Sequence, residues 1–177
     1  LRVVALERQT EVWALPRAVN LDGEIIRALQ PAGLARPVQQ LMQPLREGER
    51  AGFVNSRREW LFGGDVRPIG SNGWQPANMF DQPELDAFLR KTARCHPNVT
   101  TYIGHEMTRV SNGKEQVEIQ AVGKEGEISL SASYLVGCDG ANSLTRKALG
   151  ICWRDLGYDQ DWLVVDVEMI GSHALPN

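Results

Sequence analysis

The stretch Tyr134–Arg146, which reads YLVGCDGANSLTR, decides the fold of this 177-residue chain. Its apolar start predicts the end of a buried strand, and its two glycines let the backbone turn sharply. Asn142 or Ser143 can cap a helix that we expect to reach Leu149. Doubly wound sheets bind nucleotides at such junctions, where a helix N-terminus favours phosphate. An isolated Asp-Gly pair is usually an ordinary turn, but the longer pattern is much more specific.

A second nucleotide signal lies at the start of the chain, where Leu1–Leu6 reads as an apolar strand that ends at Glu7. Dinucleotide folds place an acid at the end of their second strand to hold a ribose. A GxGxxG turn is expected about 20 residues earlier, and the sequence contains none. We therefore expect a first strand, a glycine loop and a first helix before Leu1 in the parent protein. Taken alone, Glu7 would be interpreted as a solvated acid. Because the Asp139 motif occurs in the same chain, ribose binding is the favoured interpretation of Glu7.

Helices and strands are also predicted between these two signals. Apolar residues at helical spacing in 25–29 indicate a helix that Pro31 and Gly33 end. From Gln39 to Phe80, short apolar pieces broken by glycine-rich punctuation favour strands and turns. The sequence DQPE at 81–84 reads as a capping box with proline in the first turn, and so it starts the next helix.

A meander of strands is predicted from Val99 onward. Asn112-Gly113 is a strong hairpin signal, and residues 123–126 form a second turn. Apolar and polar residues alternate on both sides of that second turn, which indicates a sheet with one wet face. The meander leads directly into the strand before Asp139, and a last strand is predicted for Trp162–Met169.

Composition and charge exclude several function classes. With 42% hydrophobic and 23% charged residues, the chain fits one soluble globular domain. The formal net charge of −3 offers no basic field for nucleic acid. No apolar run is long enough to span a bilayer and the N-terminus carries no signal-like segment, so we expect a cytoplasmic protein without membrane contact.

The cysteines and histidines indicate no reactive or metal-binding group. Cys95, Cys138 and Cys152 form an odd set without CxxC spacing, which indicates neither a disulfide framework nor a zinc site. We expect them to be reduced, buried thiols. The three histidines are scattered along the sequence, so structural or surface roles are expected for them. No metal site is predicted, and we assign no catalytic acid, base or nucleophile.

The Asp139 motif resembles the second fingerprint of the FAD-dependent aromatic hydroxylases, the single-component flavoprotein monooxygenases related to p-hydroxybenzoate hydroxylase. Pro16-Arg17-Ala18, Gln82-Pro83 and Gln160–Asp166 follow in an order that is similar to the 3-(3-hydroxyphenyl)propionate hydroxylase group. The resemblance covers nearly the whole chain. The group's first glycine motif and third fingerprint are expected before and after the given residues, so the chain reads as an internal fragment.

The resemblance implies an α/β fold, a Rossmann-like FAD-binding fold with an inserted β-meander, together with parts of a mixed-sheet substrate domain. Residues 1–38 and 81–160 would form an incomplete FAD-binding domain that lacks its first βα unit. Residues 39–80 and 161–177 would be parts of the substrate-binding domain.

The resemblance also implies cofactor-binding roles. Glu7 would bind the adenosine ribose with Arg8 beside it, and Arg17 would lie beside the flavin and the nicotinamide cofactor. The full set of implied cofactor-binding residues is Glu7, Arg8, Arg17, Gln82, Asp139, Gly140 and Arg146. Because a carboxylate repels phosphate, we expect Asp139 to act on the cofactor through water or a backbone amide, and its removal to cost little of the fold.

Other interpretations of these residues stay open. A surface loop is the less favoured interpretation of Arg17. For Arg146 it is a solvated helix face, although the charge of Arg146 could offset Asp139 or a phosphate. Polar capping alone would explain Gln82. Gly140 is expected to need either a positive φ angle or a close approach of its backbone to the cofactor.

The reaction implied for the parent protein begins when NADH or NADPH reduces FAD. The reduced flavin and O2 form a C4a-hydroperoxide, which hydroxylates a small phenolic aromatic substrate while the protein orients the ring and excludes water. A homo-oligomer is left open. Two alternatives also stay open: a non-catalytic flavoprotein fragment, and a related flavin epoxidase or halogenase, although the Trp-x-Trp-x-Ile-Pro signature of halogenases is missing.

Overall fold

A computed structural model describes residues 1–15, 17–45, 50–161, 163 and 170–171. Their contacts form two compact units: unit 1 combines Leu1–Glu11 with the described residues from Arg94 onward, and unit 2 comprises the described residues of Val12–Ala93. The helices and strands are, in chain order, β1 (Val3–Glu7), β2 (Asn20–Asp22), α1 (Gly23–Leu29), α2 (Ala35–Gln39), β3 (Met42–Pro44), β4 (Arg50–Val54), β5 (Trp60–Asp65), β6 (Ala77–Phe80), α3 (Gln82–Cys95), β7 (Val99–Ile103), β8 (Glu106–Asn112), β9 (Val117–Gly123), β10 (Gly126–Ala132) and α4 (Leu144–Ala148).

Unit 1 joins a parallel strand pair to an antiparallel meander. β1 pairs in parallel with β7, and β8, β9 and β10 form a three-stranded sheet with β9 in the middle. The inward side chains of the middle strand, Ile119 and Ala121, are 4% and 1% exposed. The meander predicted from the alternating pattern is therefore confirmed, including its buried and wet faces.

The strand predicted immediately before Asp139 is wrong. Residues 133–143 contain no strand, and Tyr134 and Val136 are 88% and 79% exposed. A strand needs a neighbour that takes its backbone hydrogen bonds, and no strand of the described residues pairs with this stretch. An apolar run by itself therefore does not establish a strand. The strand predicted for Trp162–Met169 lies outside the described residues, apart from Leu163.

The cysteine prediction is only half right. Cys95, Cys138 and Cys152 are free thiols, as expected, but all three are exposed. Cys138 belongs to the unpaired stretch before Asp139, and Cys152 follows the last helix. Neither Cys138 nor Cys152 lies in a helix or strand, which leaves both without the packing that would bury them.

Unit 2 places three helices around a small apolar core. The antiparallel sheet has the order β2-β6-β3, and the core that packs beside it consists of Ile26, Ala35, Val38, Met42 and Leu85. Ile26 and Val38 are completely buried, whereas Ile25 of the predicted apolar face is exposed. Pro31 lies in a short 3-10 turn after α1, and Gly33 ends that turn with a φ angle of 72°, as the sequence predicted.

Aspartates start two helices of unit 2. The side chain of Asp22 accepts a hydrogen bond from the backbone N–H of Ile25 (3.1 Å). Asp81 accepts one from the N–H of Glu84 (2.8 Å). The helix start predicted from DQPE is therefore confirmed, and Asp81 is the residue that caps it.

The segment 39–80 contains strands and turns, as predicted. β4 and β5 form an antiparallel hairpin, on which the rings of Phe53 and Phe62 stack with centroids 4.5 Å apart. The boundaries of the two compact units differ from the predicted domain boundaries at residues 38 and 80. Contacts alone do not assign cofactor or substrate binding, so the predicted domain assignment stays a prediction. None of the helices in the described part of the chain has the length and apolar character needed to cross a membrane.

Gly23 is required by a close approach at the start of α1. A Cβ atom at this buried position would lie 2.8 Å from the carbonyl oxygen of Gln75. We expect Gly23→Ala to lower the free energy of unfolding by about 1–3 kcal/mol, because the backbone at Gln75 must move. Chemical denaturation measures this change. Gly64→Ala is the matched control, since no atom lies within 4 Å of its Cβ position; equal losses in both variants would contradict the steric explanation.

Candidate cofactor site

The carboxylate of Asp139 ties the Asp-Gly turn to the start of α4. It accepts hydrogen bonds from the Ser143 hydroxyl (2.5 Å), the Thr145 backbone N–H (3.0 Å) and the Thr145 hydroxyl (3.1 Å). Ser143 and Thr145 are both buried. These hydrogen bonds, first from Ser143 and then from the Thr145 N–H, lower the pKa of Asp139 from 3.8 to about 2.

Ser143 completes the helix start that the sequence predicted. Its hydroxyl oxygen accepts a hydrogen bond from the backbone N–H of Arg146 (2.9 Å), so Ser143 rather than Asn142 is the N-cap. α4 ends at Ala148, one residue before the predicted end. Asp139 and Ser143 together therefore hold the first turn of this helix.

Glycines give the turn its shape. Gly140 has a φ angle of 74°, which confirms the expected need for the left-handed region. No atom lies within 4 Å of its Cβ position, so one side of the turn is open. At Gly137, a Cβ would lie 2.9 Å from the Cβ of Thr145, so this glycine is required by the packing of the turn against α4.

Arg146 braces the same turn from the helix side. Its Nη1 donates a hydrogen bond to the carbonyl oxygen of Ala141, and its guanidinium lies 4.8 Å from the centre of the Trp153 ring. None of the ion pairs in the described part of the chain joins Arg146 to Asp139. The idea that its charge offsets this carboxylate is therefore not supported. Trp153 had no sequence signal apart from being an aromatic residue shortly after a helix.

Glu7 and Arg8 lie at the carboxyl end of the parallel strand pair. The Glu7 carboxylate accepts a hydrogen bond from the backbone N–H of Gln9 (2.7 Å). Arg8 and Glu106 form an exposed ion pair of 4.0 Å and, together with Lys124, line a cavity of about 510 Å³ in unit 1. The carboxyl ends of parallel strands are where open α/β sheets bind nucleotides.

Arg17 and Gln82 contact each other in unit 2. The Oε1 of Gln82 accepts hydrogen bonds from the backbone N–H of Arg17 (2.7 Å) and of Ala18 (3.0 Å). Gln82 therefore holds the loop that carries Arg17, which capping of its own helix would not explain. The Arg17 guanidinium is exposed and lies 4.9 Å from the centre of the Trp13 ring. Sequence reasoning missed Trp13, and Pro16 of the predicted loop motif lies outside the described residues.

The structure thus groups the predicted residues in three places. Asp139, Gly140 and Arg146 share one turn, Glu7 and Arg8 share one strand end, and Arg17 is held by Gln82. Cofactor contact by each of them stays a prediction. Among the described residues, no three His, Cys, Asp or Glu side chains are grouped so that they could hold a metal ion.

The expected tolerance of the fold to loss of Asp139 does not fit this geometry. Asp139→Ala would leave the Ser143 hydroxyl and both Thr145 donors without their acceptor. We expect it to lower the free energy of unfolding by about 1–3 kcal/mol. Asp139→Asn, which retains one acceptor oxygen, should lose less, and urea denaturation would rank the two. Equal stability of Asp139→Ala and the unchanged protein would contradict a structural role.

The low pKa of Asp139 predicts a dependence of stability on pH. Because its pKa falls on folding, the carboxylate stabilises the folded state above its unfolded pKa of 3.8, and this contribution is lost as the pH falls through about 2. The stability difference between the protein and Asp139→Asn should therefore shrink as the pH is lowered from about 6 to about 2. Thermal melts across this range measure it. A difference that grows towards acid pH would contradict the assignment.

Sequence comparison finds relatives that are named as hydroxylases. The 3-(3-hydroxyphenyl)propionate/3-hydroxycinnamic acid hydroxylase of Mycolicibacterium gilvum is 32% identical over 167 residues, which cover 94% of this chain and 28% of the relative. A hydroxylase of the same name from Burkholderia vietnamiensis is 29% identical, with 97% and 28% covered. The chain thus spans less than a third of these relatives' length.

Solved structures share the fold. p-Nitrophenol 4-monooxygenase from Pseudomonas putida superposes with a TM-score of 0.72 at 23% identity, covering 85% of this chain and 38% of that chain. Aklavinone-11 hydroxylase, solved with FAD and aklavinone, superposes with a TM-score of 0.64 at 24% identity, covering 85% and 30%. The predicted α/β fold of the FAD-dependent hydroxylases is therefore confirmed. The profile of the FAD binding domain family matches residues 1–173, and the chain belongs to this family.

Proposed function

We propose that the protein is an FAD-dependent monooxygenase that hydroxylates a small phenolic compound with NAD(P)H and O2. The observation that carries the proposal is the match of 94% of the chain to a relative named as a hydroxylase of 3-(3-hydroxyphenyl)propionate and 3-hydroxycinnamic acid. Membership of the FAD binding domain family supports the cofactor. A cytoplasmic location stays a prediction, and self-association stays open.

Taken one at a time, three groups of described residues have chemistry that suits part of FAD. Glu7 presents a carboxylate at the carboxyl end of a parallel strand, where ribose hydroxyls can donate to it. The open side of Gly140 admits a close approach of the turn to a ligand. Arg17 supplies an exposed guanidinium for an anionic group. Bound FAD would supply the electron transfer and oxygen activation, and the residues of this chain would bind and orient it.

The proposal is tested on the full-length protein. The purified holoenzyme should show flavin absorbance and oxidise NADH or NADPH faster when 3-(3-hydroxyphenyl)propionate or a related phenol is added. Mass spectrometry should find one oxygen atom from labelled O2 in the product. If neither NADH nor NADPH reduces the flavin when any of these phenols is present, the proposal is refuted. Epoxide or halogenated products would favour the alternative chemistries.

Glu7 is expected to contribute to FAD affinity. Glu7→Ala removes an ionised acceptor of ribose hydroxyls, whose loss costs about 1.5–3 kcal/mol and so weakens FAD binding roughly 10- to 100-fold. Titration of the apoprotein with FAD measures this change. Glu11→Ala is the control, because Glu11 is an exposed acid shortly after β1. Unchanged affinity in Glu7→Ala would show that the ribose lies elsewhere.

Arg17 is expected to serve reduction of the flavin more than retention of FAD. Stopped-flow reduction of Arg17→Ala should need higher nicotinamide concentrations, since a charge-assisted contact with phosphate is lost. Arg27→Ala is the matched control, because Arg27 pairs with Glu24 (3.5 Å) on the surface of the same unit. Identical reduction kinetics in the Arg17 variant and the unchanged protein would contradict this role and favour Arg17 as a surface-loop residue.

A further inference from the structure

Trp13 is a large aromatic residue that the core of unit 2 does not use. Its side chain is 51% exposed, and it belongs neither to the buried core nor to the hydrophobic residues packed against that core. The centre of its ring lies 4.9 Å from the guanidinium carbon of Arg17. A half-exposed tryptophan in this position therefore acts on Arg17 rather than on the fold.

The backbone of Arg17 is held separately. Gln82 accepts the backbone N–H groups of Arg17 and Ala18 with one carboxamide oxygen. Gln82 is the first residue of α3, which is anchored in the core by the buried Leu85. The loop backbone is thus fixed by Gln82, and the far end of the side chain is fixed by Trp13. Both contacts restrict a long side chain that would otherwise lose much rotamer entropy on binding a ligand.

Arg17 is an exposed residue. A guanidinium that lies against an aromatic ring can still donate from the N–H groups in its own plane, and two of them can bind one phosphate. Three other arginines of unit 2 are paired with carboxylates: Arg27 with Glu24, Arg50 with Asp65 and Arg57 with Glu59. None of the ion pairs found among the described residues includes Arg17. Arg36 is in the same situation, since it also lies against a tryptophan, Trp74, and is in none of these ion pairs. Within the described part of the chain, the charge of Arg17 therefore meets an aromatic ring and no carboxylate.

We propose that Trp13 is a positioning residue whose ring holds the Arg17 guanidinium ready for the pyrophosphate of a nicotinamide dinucleotide. The inference rests on the proposed function, which supplies the nicotinamide cofactor, and adds to it the side chain through which Arg17 acts. FAD also carries a pyrophosphate, so the test must separate the two ligands.

The test measures binding rather than turnover. Full-length oxidised holoenzyme is titrated with NAD⁺ and with NADP⁺, followed by the flavin difference spectrum, and the better ligand is used for all variants. Trp13→Leu should raise its Kd about two- to fivefold, as expected for loss of an exposed cation–π contact. Trp13→Phe retains a ring and should restore most of the affinity. In flavin reduction, the nicotinamide concentration needed for half-saturation should rise while the limiting rate stays the same.

Two controls separate positioning from structure. Trp60→Leu removes another arginine–tryptophan contact of the same unit, that of Trp60 with Arg50 at 4.1 Å, and should leave the Kd unchanged. In an Arg17→Ala background, Trp13→Leu should cause no further loss, because the group it positions is already absent. FAD affinity and melting temperature should be unchanged in Trp13→Leu.

Different negative results would contradict different claims, either the inference about Trp13 or the proposed function. Weaker nicotinamide binding in Arg17→Ala with normal binding in Trp13→Leu overturns the inference and leaves the proposed function intact. Additive losses in the double variant, or a loss of FAD affinity alone, also overturn it. Normal binding in Arg17→Ala removes the role of Arg17 and the inference with it. A holoenzyme that neither binds nor is reduced by a nicotinamide cofactor refutes the proposed function itself.

Discussion

The fold of this chain depends on acceptors for its unpaired backbone N–H groups. The first N–H groups of a helix, and those of a loop, have no backbone acceptor of their own, so a side chain must accept them before the chain can pack. Asp22 and Asp81 supply one at the starts of α1 and α3. Ser143 and Asp139 do the same for α4. Gln82 extends the principle to a loop, where one carboxamide oxygen accepts two successive N–H groups. Polar side chains thus set where α1, α3 and α4 start and hold the backbone at Arg17 and Ala18, whereas α2 starts without a side-chain cap.

Two of the predicted cofactor residues are consequently also structural. The Asp139 carboxylate already accepts three hydrogen bonds from its own chain, and Gln82 accepts two. Replacing Asp139 would disturb its own turn, and replacing Gln82 would release the backbone of Arg17 and Ala18. A loss of flavin from such a variant would not demonstrate direct contact, so stability and affinity must be measured together. Gly140 has no comparable contact, and its positive φ angle explains the glycine by itself.

Two of the three arginines of the candidate site lie against aromatic rings. Arg17 lies against Trp13, and Arg146 lies against Trp153. A carboxylate partner would position a guanidinium but would also cancel its charge. A ring restricts the guanidinium without cancelling its charge. None of the ion pairs of the described residues includes Arg17 or Arg146. In a chain with a net charge of −3, such cations are suited to attract phosphate groups.

The sequence by itself determined the start of α3, the start of α4 to within one residue, the glycine turns and the meander, because these depend on side chains only a few residues apart. Asp81 caps α3 through Glu84, and Ser143 caps α4 through Arg146. Only the tertiary structure decided the features that join distant segments. Gln82 meets the backbone of Arg17 across 65 positions, and the apolar residues before Asp139 form no strand because no described strand pairs with them. Local hydrogen bonds leave a pattern in the sequence, whereas pairing between distant segments depends on which surfaces the fold brings together.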